Sequence, residues 1–180
     1  MKRPSPALYF IAFALLTFVC MSPAPALSEN KDIADHPACP ICGMDRLKYA
    51  HSRMLITYED GTQFGACSLH CAALEMAYRL DKIPSKLEVA DMNTHQLVEA
   101  EKATWVIGGN KMGVMSANAK WAFADPAAAA TFVEKEGGKI GDFETAISAA
   151  YSDMDKDSRM IRERRKMKRQ QQQQHGQRAH

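Results

Sequence analysis

The chain has 180 residues, of which 46% are hydrophobic, and a formal net charge of +2. This length suits one domain with a buried core, and so small a net charge gives no reason to expect a nucleic-acid partner. The sequence contains no nucleophile–base pair, phosphate-binding loop or paired-carboxylate pattern. Composition and motifs therefore do not predict an enzyme.

The N-terminus has the pattern of a secretory signal. Lys2 and Arg3 precede an apolar run of about a dozen residues, which is shorter than the ~20 residues that a membrane span needs. Residues 24–26 (Ala-Pro-Ala) form a small-x-small cleavage site, so residues 1–26 are predicted to be removed. Lipid attachment at Cys20 and an uncleaved anchor are the alternatives. All three place the mature chain outside the cytoplasm, in the periplasm or attached to its membrane.

The folded unit is predicted over residues 38–150, after a polar leader at residues 27–37 that lacks periodic apolar positions. Its first elements form a hairpin. A β-rich run at Met54–Tyr58 is followed by a turn that contains Gly61 and by a return strand at Thr62–Gly65.

A helix follows the hairpin, with Ser68 as its predicted cap and apolar residues at helical spacing in "LHCAALEMAYRL". The segments "KLEVADMNTHQLVEA" and "ATWVIGG" predict further strands, and another strand is expected at Lys120–Ala124. The next helix is capped by Asp125, has Pro126 in its first turn and stops at Gly137. A short strand and a closing helix complete the unit. The order predicts an α+β fold with mainly antiparallel sheet and room for two similar halves.

Residues 151–180 form a basic, glutamine-rich tail. Residues 153–180 contain nine Lys or Arg, four Asp or Glu, and a run of five consecutive glutamines. Dense like charge and low complexity predict a disordered segment. Attraction to anionic lipid headgroups or to an acidic partner is the alternative to a solvated tail.

Four cysteines of the folded unit occur as two locally chelating pairs. Cys39 and Cys42 form C-x-x-C, and Cys67 and Cys71 enclose His70 in "CSLHC", one helical turn apart. Four interpretations remain open on spacing alone. They are a structural zinc site with four thiolates, two disulfides, a thiol–disulfide exchange centre, and a soft-metal site that prefers copper(I).

The motifs together resemble the NosL family of accessory proteins for nitrous-oxide reductase maturation. "CPICGM" is similar to the family's C-x-x-C-G-M opening, and "GACSLHC" to its later cysteine–serine segment. "LEVADMNTHQLVEAEKATWVIGG" and "GVMSANAKWAFADPAAAATFVEKEGGKIGDFETA" are similar to the two following family patterns. The resemblance covers residues 38–147.

The resemblance implies an exported copper(I)-binding protein without catalytic activity, which delivers copper to a metalloenzyme under assembly. It implies a fold of two ββαβ-like halves, also seen in organomercurial lyase. The family ligands carry over by motif to Cys39, Cys42, Met44 and Met115. Cys67 and Cys71 add thiols that could complete a four-thiolate site, for which zinc is the alternative metal.

The resulting hypothesis is an exchangeable copper(I) site. Two or three of the four cysteines hold the ion, and Met44 or Met115 completes the shell. The partner is an apo copper enzyme resembling nitrous-oxide reductase, or its assembly machinery, and it docks beside the glycine-rich loop at residues 108–115. Trp105 and Trp121 are interpreted as core residues.

Overall fold

The computed structural model describes residues 31–178. The predicted signal segment, including Cys20 and the cleavage site after Ala26, lies outside the described residues. The helices are α1 (Lys31–Asp35), α2 (Leu69–Tyr78), α3 (Pro126–Glu136) and α4 (Phe143–Arg178). The strands are β1 (Met54–Tyr58), β2 (Gln63–Ala66), β3 (Pro84–Ala90), β4 (Leu97–Glu99), β5 (Thr104–Ile107), β6 (Lys120–Phe123) and β7 (Lys139–Gly141).

The strands form two antiparallel sheets that repeat one topology. The first has the order β2-β1-β3-β4 and the second the order β6-β5-β7. The first half of the chain runs β1-β2-α2-β3 and the second half runs β5-β6-α3-β7. In each half the first strand, β1 or β5, lies between the other two and pairs antiparallel with both. The predicted α+β fold with two ββαβ-like halves is confirmed, and β4 is an additional edge strand.

Local signals account for most element boundaries. Asp125 accepts a hydrogen bond from the backbone N–H of Ala127 (2.9 Å) and caps α3, which begins at Pro126. Gly137, with φ of 74°, ends the same helix. Ser68 stands at the N-cap position of α2 as predicted, but its hydroxyl makes no capping hydrogen bond. The Cys67 thiol lies 3.9 Å from that hydroxyl and engages it instead.

The two sheets are joined through Asp91. An isolated bridge pairs Asp91 with Ala122, and the N–H of Met92 donates to the carbonyl of Ala122 (2.8 Å). One carboxylate oxygen of Asp91 accepts from the N–H of Ala124 (2.8 Å), in the second half. Trp105 and Trp121 are each 1% exposed, so their assignment to the core is confirmed.

The folded unit begins before the residue that the sequence indicates. Residues 31–37 were expected to be a leader, yet α1 buries Ile33 and places Asp32 against two buried arginines. A five-residue helix with one large apolar side chain, Ile33, has no detectable periodicity, so its attachment depends on contacts that are distant in sequence.

The tail is helical, and the expectation of disorder is wrong for residues 151–178. They continue α4 without interruption, and Asp157 is buried on the body side of the helix. Extending an existing helix avoids the cost of nucleation, and Arg, Lys, Gln, Met and Glu all have favourable helix propensity. None of the helices within residues 31–178 is both long and apolar enough to cross a membrane.

Candidate metal centre

Four thiols from two distant segments converge at one point. The Sγ atoms of Cys39, Cys42, Cys67 and Cys71 all lie within 4.8 Å of one another, and none is in a disulfide. Sγ of Cys67 is 3.4 Å from that of Cys42 and 3.7 Å from that of Cys71. Cys42 is the half-buried member, and the other three are buried. The predicted convergence of the two pairs is therefore present.

The C-x-x-C-G-M segment forms a tight loop around the first pair. The N–H of Cys39 donates to the carbonyl of Met44 (2.9 Å), and the N–H of Gly43 donates to the carbonyl of Cys39 (2.8 Å). Gly43 has φ of 76°, a left-handed conformation that favours glycine. A bridge between Ala38 and Asp45 closes the base of the loop. The motif spacing thus turns both thiols toward one side.

The second pair lies at the junction of β2 and α2. Cys67 directly follows β2, Cys71 lies in the first turn of α2, and both thiols lie beside those of the C-x-x-C loop. The hairpin carries β2 back beside β1 with Met54 opposite Ala66. This register fixes where Cys67 emerges from the sheet.

Arg46 fastens the loop to the end of β2. Its side chain is fully buried, and it donates to the carbonyls of Ala66 (3.1 Å), His36 (2.8 Å) and Met54 (3.0 Å). It also pairs with a carboxylate oxygen of Asp32 at 2.8 Å. Arg46 therefore joins the segment that carries Cys39 and Cys42 to the residue before Cys67.

The thiols differ in acidity because they share hydrogen bonds. The pKa of Cys39 is lowered because the thiols of Cys42, Cys67 and Cys71 all donate toward it. For Cys42 the bond to Cys39 raises the pKa, but those from Cys67 and Cys71 outweigh it and the net shift is downward. The pKa of Cys67 and that of Cys71 are raised, first by the bond to Cys39 and then by that to Cys42. The four thiols therefore titrate as one interacting group, and metal binding, which requires thiolates, would release protons from it.

The chain matches one known protein-family model over most of its length. The family model described as NosL matches residues 30–151, more than half of the chain. The chain belongs to the NosL family. The resemblance read from the cysteine and glycine motifs is confirmed, and the match includes both cysteine pairs and both halves of the fold.

One solved structure in the comparison is the copper chaperone NosL from Shewanella denitrificans. It is 21% identical to this chain, with a TM-score of 0.47. The match covers 59% of this chain and 87% of the Shewanella denitrificans chain. A search of curated proteins found no match.

The two methionines predicted from the NosL motif belong to the same hydrophobic region as the cysteines. Met44 and Met115 are partly buried and pack against the hydrophobic cluster that contains Cys39, Cys67 and Cys71. Met115 has φ of 62°, in the left-handed region that non-glycine residues rarely occupy. Met112, the other methionine of this loop, is 72% exposed. Ligation by Met44 and Met115 stays a prediction.

Helix α4 adds contacts that sequence patterns did not reveal. Nη2 of Arg165 donates to the carbonyl of Cys42 (3.2 Å), 123 residues away in sequence. Nδ1 of His70 faces a carboxylate oxygen of Asp157 at 3.6 Å, and both side chains are buried. Burial lowers the pKa of His70 despite the nearby carboxylate. Only folding places these groups together, so spacing in the sequence offers no signal for them.

The geometry of the cluster suits a thiolate-bound metal. Tetrahedral zinc with Zn–S bonds of about 2.3 Å places sulfurs about 3.8 Å apart, and the separations of 3.4 Å (Cys42 to Cys67) and 3.7 Å (Cys67 to Cys71) lie close to that value. Two or three of the same thiols with a thioether would instead provide the soft ligands that copper(I) prefers. With either ligand set, the four cysteines can hold a metal ion.

Proposed function

We propose that this NosL-family protein is an exported, non-catalytic copper(I) carrier. It binds one copper(I) through two or three of Cys39, Cys42, Cys67 and Cys71, and Met44 or Met115 completes the shell. It then delivers the ion to an apo copper enzyme resembling nitrous-oxide reductase, or to the machinery that assembles it. The convergence of four unbridged thiols carries the proposal.

The type of ligand supports copper(I). Thiolates and thioethers are soft donors, and the region around the cluster supplies both within a mostly apolar environment. A carboxylate shell for a harder ion is absent from the vicinity of the four thiols in the described part of the chain. Family membership supports the same metal through the role that the NosL resemblance implies.

The exposure of the ligands supports transfer. Cys42 is half-buried whereas the other three thiols are buried. An incoming ligand from a partner can therefore reach the ion most directly at Cys42, the most exposed of the four thiols. Stepwise ligand substitution at this edge would move copper(I) without releasing it to water.

Zinc is the second candidate, since two of the sulfur–sulfur separations, 3.4 and 3.7 Å, lie near those of a tetrahedral four-thiolate site. If all four thiols bind one ion, the site is closed and exchange is slow, as in structural zinc centres. The protein would then be a zinc-stapled binding module. The half-buried position of Cys42 and the adjacent methionines fit a copper carrier better than a closed structural site.

Copper(I) titration against a chromophoric chelator, performed without oxygen on reduced protein, tests the proposal. Wild-type protein should withdraw one equivalent of copper(I), and the Cys39→Ser/Cys42→Ser variant should lose this ability. Met112→Leu is the matched control, since Met112 is exposed and is not a predicted ligand. Unchanged affinity in the double variant would exclude the site.

Metal analysis of protein purified without oxygen or added metal separates the candidates. Copper supports the carrier, whereas one tightly held zinc that resists exchange with copper(I) supports the stapled module. An insulin-reduction assay covers thiol–disulfide exchange, for which we expect no activity.

Export and anchoring are tested on the full chain in cells. Fractionation should recover the protein outside the cytoplasm. Mass spectrometry should find a mature N-terminus at Leu27, whereas a lipid-modified Cys20 would identify the anchored alternative. Recovery of the intact chain in the cytoplasm would contradict the proposal.

A further inference from the structure

Helix α4 approaches the metal centre through a buried carboxylate. Asp157 is 1% exposed, and its Oδ1 accepts a hydrogen bond from the N–H of Ala117 (3.0 Å). Its Oδ2 lies 3.6 Å from Nδ1 of His70, and neither atom has a hydrogen-bond partner among the described residues. Leaving a buried carboxylate oxygen without a hydrogen bond costs stability. Helix packing alone gives no reason for such a group here.

Both segments that Asp157 touches carry predicted ligands. Ala117 follows Met115 by two residues, in the loop between β5 and β6. His70 precedes Cys71 on α2. Asp157 therefore joins the methionine loop, from the second half of the fold, to the helix of the second cysteine pair, from the first half.

A second carboxylate of α4 restrains the same loop. Asp153, one turn before Asp157, accepts hydrogen bonds from Nδ2 of Asn118 (2.8 Å) and from Nζ of Lys120 (2.6 Å). The backbone of Met115 is held in a left-handed conformation nearby. Such a conformation persists only where the surroundings determine it. Contacts from α4 anchor the chain just after Met115, at Ala117, Asn118 and Lys120.

We propose that Asp157 is a positioning residue for the thioether of Met115. By holding Ala117 against α4 and facing His70, it keeps the methionine loop against the thiol cluster, so that Met115 can reach a copper(I) ion bound there. This inference rests on the proposed copper function and extends it to residues outside the ligand set.

A double-mutant cycle tests whether Asp157 acts through Met115. Copper(I) affinity is measured by anaerobic chelator competition for wild type, Met115→Leu, Asp157→Ala and the double variant. Each single substitution should weaken binding about tenfold, the scale of lost support around a metal site. The double variant should be no weaker than either single variant, because Asp157 has no role once the thioether is gone.

Conservative and surface substitutions serve as controls. Asp157→Asn keeps an oxygen that can accept from Ala117, so it should restore affinity to within about threefold of wild type. Asp155→Ala, two residues earlier on the exposed face of α4, should bind like wild type. A general loss of helix stability would predict neither result. Circular dichroism and thermal unfolding of the metal-free variants establish that they fold.

Three results would overturn the inference while leaving copper binding intact. They are unchanged affinity in Asp157→Ala, unchanged affinity in Met115→Leu, and a double variant weakened about a hundredfold by two independent losses. If Asp157→Ala does not fold, Asp153→Ala replaces it in the cycle, since that side chain is 23% exposed and restrains the same loop. Failure of wild-type protein to bind copper(I) would instead contradict the proposed function.

Discussion

Individual buried charges shape the metal centre as much as the thiols do. Arg46 and Arg53 are 0% and 1% exposed, and Asp32 pairs with both. Buried charges are expensive unless they are paired and hydrogen-bonded, and here each guanidinium also donates to backbone carbonyls. The ion-paired group of Asp32, Arg46 and Arg53 therefore fixes the position of the C-x-x-C loop relative to the first sheet.

Gly65 provides the space that Arg46 occupies. A Cβ atom built at Gly65 would lie 2.8 Å from Cζ of Arg46 and 2.6 Å from Cβ of His36. Gly65→Ala should therefore displace the guanidinium and lower the free energy of unfolding by about 1–3 kcal/mol, as overpacking does. Urea denaturation measures it, with Gln63→Ala on the exposed end of the same strand as control. Equal stability of Gly65→Ala and wild type would contradict this account of the contact.

Asp32 should make stability sensitive to acid. Burial raises the pKa of its carboxyl, but hydrogen bonds and charges from Arg53 and Arg46 outweigh burial, and the pKa falls below 3.8. A group with a lowered pKa stabilises the fold above its unfolded value and loses that contribution as pH falls. Wild type should therefore weaken as pH drops below about 4, while Asp32→Asn should show less of this dependence.

Asp32→Asn should also lower the free energy of unfolding at neutral pH. It leaves two buried guanidinium groups without their counter-charge, which costs about 3–5 kcal/mol. Urea unfolding between pH 7 and pH 3 measures both effects. Asp35→Asn, on the exposed side of α1, removes only a surface pair with Lys31 and should change little. A parallel loss of stability on acidification in wild type and Asp32→Asn would show that Asp32 is not the responsible group.

The sequence predicted the cysteines of this site but not their support. The spacing within each cysteine pair, Cys39–Cys42 and Cys67–Cys71, is by itself typical of metal-binding or redox sites. Arg46 has no such signature, because an arginine is by default a surface residue. Its burial is determined by partners at residues 32, 36, 54 and 66, and only the fold brings these together.

At the scale of elements, the sequence predicts a helix or strand boundary correctly where residues next to that boundary determine it. The hairpin, the Asp125 cap and the Gly137 stop depend on neighbouring residues, and all occur in the structure. Helix α4 shows the limit of such signals. Charge density and glutamine repeats indicated disorder, while the preceding helix supplied the nucleus from which these residues extend.

Truncation after Ser158 should separate the extension of α4 from the body. It would shorten the helix from 36 residues to 16, Phe143–Ser158. Circular dichroism should lose the signal of about 20 helical residues. The midpoint of thermal unfolding should shift by only about 2–4 °C, because residues 162–174 are exposed and the deletion otherwise removes the half-buried Met160 and Ile161 and the exposed hydrogen bond from Arg165 to the carbonyl of Cys42. A truncation at Gln170 is the control and should lose proportionately less helix. A large fall in the midpoint would mean that the extension stabilises the body.

At the scale of the whole molecule, two halves with one topology have different tasks. The junction of β2 and α2 carries Cys67 and an N-cap serine without a capping bond, while the equivalent junction of β6 and α3 carries Asp125, a normal cap. The first half thus gives up helix capping where it supplies thiols. The second half keeps regular capping and contributes the loop of Met115.

Metal binding should therefore stabilise the protein as a unit. The ligand segments are 25 residues apart between Cys42 and Cys67, and the unfolded chain does not hold them together. With free copper(I) at about a thousand times its dissociation constant, the free energy of unfolding should rise by about 4 kcal/mol. Anaerobic urea unfolding at fixed copper(I) activity measures this difference.

The Cys39→Ser/Cys42→Ser variant decides where that stabilisation arises. It retains Cys67, before α2, and Cys71, within α2; they are four residues apart and can bind metal weakly in the unfolded chain as well as in the native protein. Such binding contributes little, since a ligand stabilises only by its preference for the native state. The variant should therefore unfold at nearly the same urea concentration with and without copper(I). An undiminished shift would locate the stabilising metal elsewhere, because only a site that joins both segments couples binding to the whole fold.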